Sequence, residues 1–297
     1  MSRPRILLTG ANGQLGWELR RTLLPLGQIV APGRDVCDLA RPETLTETVR
    51  RIRPQWIVNP AAYTAVDRAE SEPALCHAVN AVAPGVLAEA AREIGAAVIH
   101  FSTDYVFDGR KAAPYVEEDA TAPLNVYGAS KRDGELAVTA AGAPHLVFRT
   151  GWVYGGHGLN FVRTIQRLLA EREVLTVVAD QIGAPTWARA IAETVSLVLA
   201  RYRAPEGVSE DVGLYHLACA GEASWFDFAQ RIRQRMAAAQ PQQSLAEVKP
   251  VASSEYRTAA QRSPYSVLDS GKLAQRFGLR LPPWTECFDL AAPEFGL

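Results

Sequence analysis

Tyr127 and Lys131 stand four residues apart in the stretch Tyr127-Gly-Ala-Ser-Lys131. On a helix that spacing puts a phenol and an ammonium on one face, about a turn apart. A free tyrosine releases its proton only near pH ~10. A fixed cation beside it favours the phenolate and lowers that value by roughly 1–3 units. The pair is therefore suited to exchanging a proton with a sugar or alcohol oxygen near neutral pH. Taken alone, the same spacing also describes a solvated helix face, so its meaning depends on what surrounds it. Thr103, in Ser102-Thr103-Asp104-Tyr105, is a third candidate. It follows an apolar run whose carboxyl end would open on the same crevice.

A cofactor site is legible upstream. An apolar run leads into Thr9-Gly10-Ala-Asn-Gly13-Gln14-Leu15-Gly16 within the first sixteen residues. Glycines there allow a tight turn, let backbone approach a pyrophosphate and let a helix pack close to a strand. The helix start supplies free N–H donors and positive potential for phosphate. The GxxGxxG spacing is one residue longer in its first gap than the general dinucleotide fingerprint. Further along, Ala31-Pro-Gly33-Arg34-Asp35 places an arginine where a second strand should end. Arginine at that point suits the 2′-phosphate of NADPH, while the adjacent Asp35 keeps NADH possible. Asp38 and Leu39 are placed to border an adenine. Asn59-Pro-Ala-Ala62-Tyr63-Thr64 offers small residues beside which a cofactor can lie.

These residues need a scaffold, and the hydrophobic pattern predicts one. Strands are expected at 5–9, 28–31, 56–59, 97–102 and 146–149, with helices at 14–24, 42–52, 80–94 and 126–140. Alternating strand and helix with apolar strands implies an α/β, Rossmann-like, doubly wound parallel sheet. After residue 155 the rhythm loosens. Helices are expected at 161–171, 188–202 and 225–239, a strand at 174–178, and loops at 240–244 and 253–266. The expected division is a dinucleotide-binding domain over 1–155 and a smaller, mostly substrate-binding region over 156–297, with elements near 174–202 packing back onto the first.

Composition narrows the function classes. The 297 residues are 48% hydrophobic and 21% charged with a formal net charge of −1, which offers no nucleic-acid or membrane surface. The apolar run after Met1 is too short for a signal-peptide core or a membrane span, and no later segment is expected to be long enough for one. Cys37, Cys76, Cys219 and Cys287 form no CxxC pair. Neither a metal site nor a disulfide framework is expected, and a cytoplasmic setting fits.

Together these stretches resemble the extended short-chain dehydrogenase/reductase family. The resemblance is carried by Gly10–Gly16, 59–67 with Ala69-Glu-Ser-Glu-Pro73, 102–107, Asn125-Val-Tyr127-Gly-Ala-Ser-Lys131 and Arg149-Thr-Gly-Trp152-Val-Tyr154. Gln181-Ile-Gly-Ala-Pro-Thr186 and Tyr215-His-Leu217 extend it over nearly the whole chain. The match narrows to the branch that reduces the C4 ketone of dTDP-4-dehydro-L-rhamnose in polysaccharide precursor synthesis. That resemblance implies Tyr127 as the acid that protonates the C4 oxygen, and Lys131 as its tuner and the holder of the nicotinamide ribose. It implies Thr103 as the partner of the keto oxygen, and Asp104 and Trp152 as sugar-site residues. Gly13, Gln14, Leu15, Asp38, Leu39, Ala62, Tyr63 and Thr64 would touch the cofactor.

Some positions depart from the family pattern. Members that form metal-bridged dimers use acidic residues, and Glu18 and Glu294 match two such positions, but Arg189 stands where a carboxylate is needed. A cation there argues against a hard divalent metal, so no metal is expected and the chain is expected to be a monomer or homodimer. Arg262, in a loop whose wording departs mildly from the family's, has a fork suited to a nucleotide diphosphate. Tyr105 follows Asp104 where dehydratases of this superfamily carry a second carboxylate, which weakens a 4,6-dehydratase reading. An epimerase or a non-catalytic regulatory subunit would share the same scaffold, although a regulatory subunit has no need of Thr103, Tyr127 and Lys131 together.

Overall fold

Six short apolar runs form one sheet, parallel throughout, in a computed structural model that describes residues 3–202 and 204–297. Across the sheet the order is Gly213–His216, His145–Thr150, Ala97–Thr103, Trp56–Asn59, Arg5–Leu8 and Gln28–Val30. The register sets Ile6 against both Ile29 and Trp56, and Ser102 against Arg149. Because side chains alternate along a strand, Ile6, Leu8, Val58, Ile99 and Phe148 enter one apolar layer, and Leu7, Ile57, Val98 and Val147 enter the other. All seven residues of Ala97–Thr103 are buried, as a central parallel strand covered on both faces requires. The doubly wound sheet is thus as expected.

Helices Val126–Ala140, Phe161–Glu171 and Trp225–Ala239, and strand Val174–Val178, run over the expected residues. The helix Ala188–Leu199 packs on the helix Gln14–Thr22. Among the elements that went unforeseen, four are the more substantial. Gly213–His216 joins the sheet edge beside His145–Thr150. Glu247–Val251 pairs in parallel with Val174–Val178, and the helices Gly271–Phe277 and Trp284–Ala291 close the chain.

The helix expected from residue 80 begins instead at Pro73 and runs to Ile94, with a π turn over Ala78–Val82. Pro84 has no N–H to give the carbonyl of Asn80, and the wider turn accommodates that gap. At 22 residues this helix is long and apolar enough to cross a membrane, contrary to the sequence expectation. Here it packs into the protein through Leu87, Ala88 and Ala91.

Candidate active site

The glycine turn is built to an approach that only glycine permits. Gly10 has φ +55°, and a Cβ on it would sit 2.8 Å from the Cα of Ala61. A Cβ on Gly16 would come within 2.1 Å of the Gly10 carbonyl oxygen. Gly13 precedes the helix Gln14–Thr22, and no side chain caps that helix, so its first N–H groups remain available. Gln14 has a buried Oε1 without a partner. An open helix start and a tight glycine turn together fit a dinucleotide diphosphate. Leu15 and Leu39 are buried, Ala62 and Tyr63 half-buried, and Arg34 and Thr64 exposed. Asp38 accepts from the Ala40 N–H at 3.0 Å and pairs with Arg41.

Asn125 starts the Tyr127 helix by accepting the Gly128 N–H at 2.8 Å, while its own amide donates to the Gln261 carbonyl at 2.7 Å. A Cβ on Gly128 would strike the Tyr105 carbonyl at 2.2 Å, so this glycine lets the helix press against the segment after Thr103. Asn80, inside the π turn, accepts from the Tyr63 N–H, donates to the Tyr63 carbonyl and donates to Ser130 Oγ. One amide thereby binds the cofactor-side loop to the Tyr127 helix. Sequence reading missed that role, although π turns gather at functional sites.

Thr103 donates to Asp104 Oδ1 at 3.0 Å, and Ser266 donates to Asp104 Oδ2 at 2.6 Å. Burial raises the Asp104 carboxyl to about 6, against those two hydrogen bonds. The Tyr105 ring stands edge-on to Tyr127, with centroids 5.5 Å apart. The structure differs from the simple Tyr/Lys pair expected. Burial pushes the Tyr127 phenol above its ordinary value, and Thr103 is the partner that opposes the rise. Lys131, 2% exposed, donates to the Phe101 carbonyl at 2.6 Å and meets His100 Nε2 at 3.3 Å. Burial brings its ammonium down to about 8.

A cleft is lined by Tyr105, Trp152, Gln181, Trp225, Arg262 and Ser266. Trp152 has φ +51°, a strained value for a bulky residue. Its ring stacks on Trp225 at 3.4 Å, and a Cβ on Gly183 would enter the ring at 2.4 Å. Arg262 is held by Asp67, with Nη2 donating to Oδ2 at 2.8 Å, so its fork is engaged at the rim of the cleft. Trp152 and Arg262 border this cleft, Ser266 links it to Asp104, and the Tyr105 ring links it to Tyr127.

Arg189 lies between Glu18, 3.2 Å away, and Glu294, 2.6 Å away. The three residues that a metal-bridging arrangement would draw on here form an ion-paired cluster. No group of three or more possible metal ligands occurs among the described residues.

A parallel sheet in this order, a glycine turn at its first strand and a Tyr/Lys helix beside its fourth define an oxidoreductase of the extended short-chain dehydrogenase/reductase class. The model of the RmlD substrate binding domain matches residues 4–295. The dTDP-4-dehydrorhamnose reductase of Burkholderia thailandensis is 50% identical over 94% of this chain and 95% of its own length. The enzyme of the same name from Escherichia coli K12 is 46% identical over 94% of each. Among solved structures, a dTDP-4-dehydrorhamnose reductase from Clostridium acetobutylicum superposes with TM-score 0.90 at 33% identity, covering 99% of this chain and 100% of that one. Another from Bacillus anthracis, in complex with NADP, gives 0.87 at 36% identity, covering 99% of this chain and 100% of that one. The chain belongs to the RmlD family, the dTDP-4-dehydrorhamnose reductases.

Proposed function

We propose that the protein reduces the C4 ketone of dTDP-4-dehydro-β-L-rhamnose with NADPH, giving dTDP-L-rhamnose for cell-surface polysaccharide synthesis in the cytoplasm. The observation that carries this reading is the cluster of Thr103, Asp104 and Tyr127, joined through Ser266 and Tyr105 to the Trp152–Trp225 cleft, in a chain whose first helix starts uncapped after a glycine turn. A nicotinamide, when bound, would supply hydride to C4. Tyr127 gives its phenolic proton to the C4 oxygen, and Thr103 holds that oxygen by a hydrogen bond. Trp152 and Trp225 form an aromatic wall that fixes which ketone face is presented, so positioning contributes as much as acidity. Lys131 holds the ribose, Arg34 reads the 2′-phosphate, and Arg262 reaches the sugar-nucleotide diphosphate when it exchanges Asp67 for phosphate oxygen. Residues 1–155, with the returning helix Ala188–Leu199, carry the cofactor, and most of 156–297 carries the sugar nucleotide. Tyr105 supports reduction over 4,6-dehydration, because no second carboxylate stands beside Asp104.

Absorbance of the reduced nicotinamide tests this reading. NADPH should be consumed when dTDP-4-dehydro-L-rhamnose is added and not without it; folded protein that consumes none would refute it. Tyr127→Phe should lose turnover by a factor of about 100 or more with NADPH affinity little changed. A fully active variant would remove Tyr127 from its role.

A further inference from the structure

Between the glycine turn and the Tyr127 helix, the sheet interior holds a file of polar side chains that the reaction as described does not use. Thr9 Oγ1 donates to Asn59 Oδ1 at 2.5 Å, Asn59 Nδ2 meets His100 Nδ1 at 3.2 Å, and His100 Nε2 meets Lys131 Nζ at 3.3 Å. Two neighbouring strands, the residue just past a third and one helix supply these four residues, each 2% exposed or less. Uncharged polar groups gain little stability at such a depth unless every donor finds an acceptor. Here the direction of the bonds is set from one end.

An ammonium has donors and no lone pair. While Lys131 is charged, His100 must therefore offer Nε2 as the acceptor, and the ring proton must sit on Nδ1. Asn59 then has to face the ring with its carbonyl oxygen and give its amide hydrogen to Thr9. When Lys131 is neutral, the opposite set is satisfied, with the ring proton on Nε2, Asn59 Nδ2 donating to Nδ1 and Thr9 donating to Oδ1. Asn59 presents Nδ2 to the ring and Oδ1 to Thr9, and turning that amide over interchanges the two sets. In passing from one set to the other, Lys131 releases one proton to solvent, and the ring keeps one proton, which exchanges from Nδ1 to Nε2.

We infer that His100 is a positioning residue for Lys131, and that the hydrogen-bond direction from Lys131 through His100 and Asn59 to Thr9 reverses with the charge on Lys131. Thr9 immediately precedes Gly10, so the file joins the ribose-holding lysine to the phosphate-binding turn. His100 takes no charge itself, because burial and then the Lys131 cation hold it well below its ordinary value. The other charged or titratable groups acting on the file are His145 from the adjacent strand, Glu135 one turn along from Lys131, and Cys76 from the helix Pro73–Ile94. Glu135 is occupied by a buried two-point pair with Arg149, which leaves His100 as the acceptor aimed at Lys131 besides the Phe101 carbonyl.

The inference relies on the reductase reading for the role of Lys131, but neither measurement needs sugar turnover. Protein labelled with 15N in histidine should show the His100 ring changing from the Nδ1–H to the Nε2–H tautomer as Lys131 titrates between about pH 6 and pH 10. In parallel, NADP⁺ affinity should fall over the same pH range. In His100→Leu that fall should begin about one pH unit lower, because the ammonium has lost an acceptor. His100→Gln keeps an acceptor and should restore most of the shift. A single unchanged tautomer across the range would overturn the inference. So would a His100→Leu profile superimposable on the parent's, with only stability reduced. If His100→Leu does not fold, the tautomer measurement on the parent decides alone.

Discussion

Replacing Lys131 with methionine should make the fold more stable while abolishing turnover. The side chain is 2% exposed, and burial moves its ammonium from 10.5 to about 8. A displacement of one pH unit is worth about 1.4 kcal/mol, so holding the charge inside costs the native state about 3 kcal/mol at neutral pH. Methionine matches the length and brings no charge. It also leaves the Phe101 carbonyl without its donor, which costs about 1 kcal/mol. The variant should therefore exceed the parent by about 2 kcal/mol at pH 7. Folded Lys131 binds fewer protons than unfolded lysine between pH 8 and 10.5, so the parent gains stability as pH rises through that window. The advantage of the variant should shrink and end as a deficit of about 1 kcal/mol. Urea unfolding of both proteins at several pH values, taken as a difference, isolates Lys131 from every shared titration. A variant less stable than its parent at pH 7, or a difference that ignores pH, would refute the reasoning.

Gly16→Ala should weaken NADPH binding by more than about tenfold in a fluorescence titration, because the new Cβ would lie 2.1 Å from the Gly10 carbonyl and displace the turn. Arg34→Ala should weaken NADPH by about tenfold and leave NADH unchanged, as loss of a charge-assisted phosphate contact requires; equal losses would show that Arg34 does not read the 2′-phosphate. Arg189→Ala removes the cation between Glu18, 4% exposed, and Glu294. Since Arg21 still pairs with Glu18, the loss should be about 2 kcal/mol, seen as a lower melting temperature. An unchanged melting temperature would show the cluster to be idle.

The sheet was legible because its central strands are apolar on both faces and are separated by periodic helices. Gly213–His216 escaped because it is four residues long with its first two half-exposed, so no alternation marks it. In the candidate site, Tyr127, Lys131, Thr103 and the glycines stand out through spacing and position. Lys131 as a buried ammonium bound to a strand carbonyl did not, since a four-residue spacing says nothing of what the strand beneath it offers. Asn80 and His100 were hidden for a related reason. Each serves residues distant in sequence, and only the packed fold brings those partners within reach. Trp152 gained weight from its positive φ and its stack on Trp225, neither of which its residue type reveals.

The strand Gly213–His216 also bears on how the protein is made. It is the outer neighbour of His145–Thr150, a strand buried along its entire length, yet it leaves the ribosome roughly sixty residues later. At about 5–20 residues per second, that apolar edge waits several seconds for its partner during synthesis. Throughout that interval it offers unpaired N–H and C=O groups to any other nascent strand nearby. Slower translation between residues 150 and 213 should therefore lower the yield of folded enzyme without altering the enzyme that does fold.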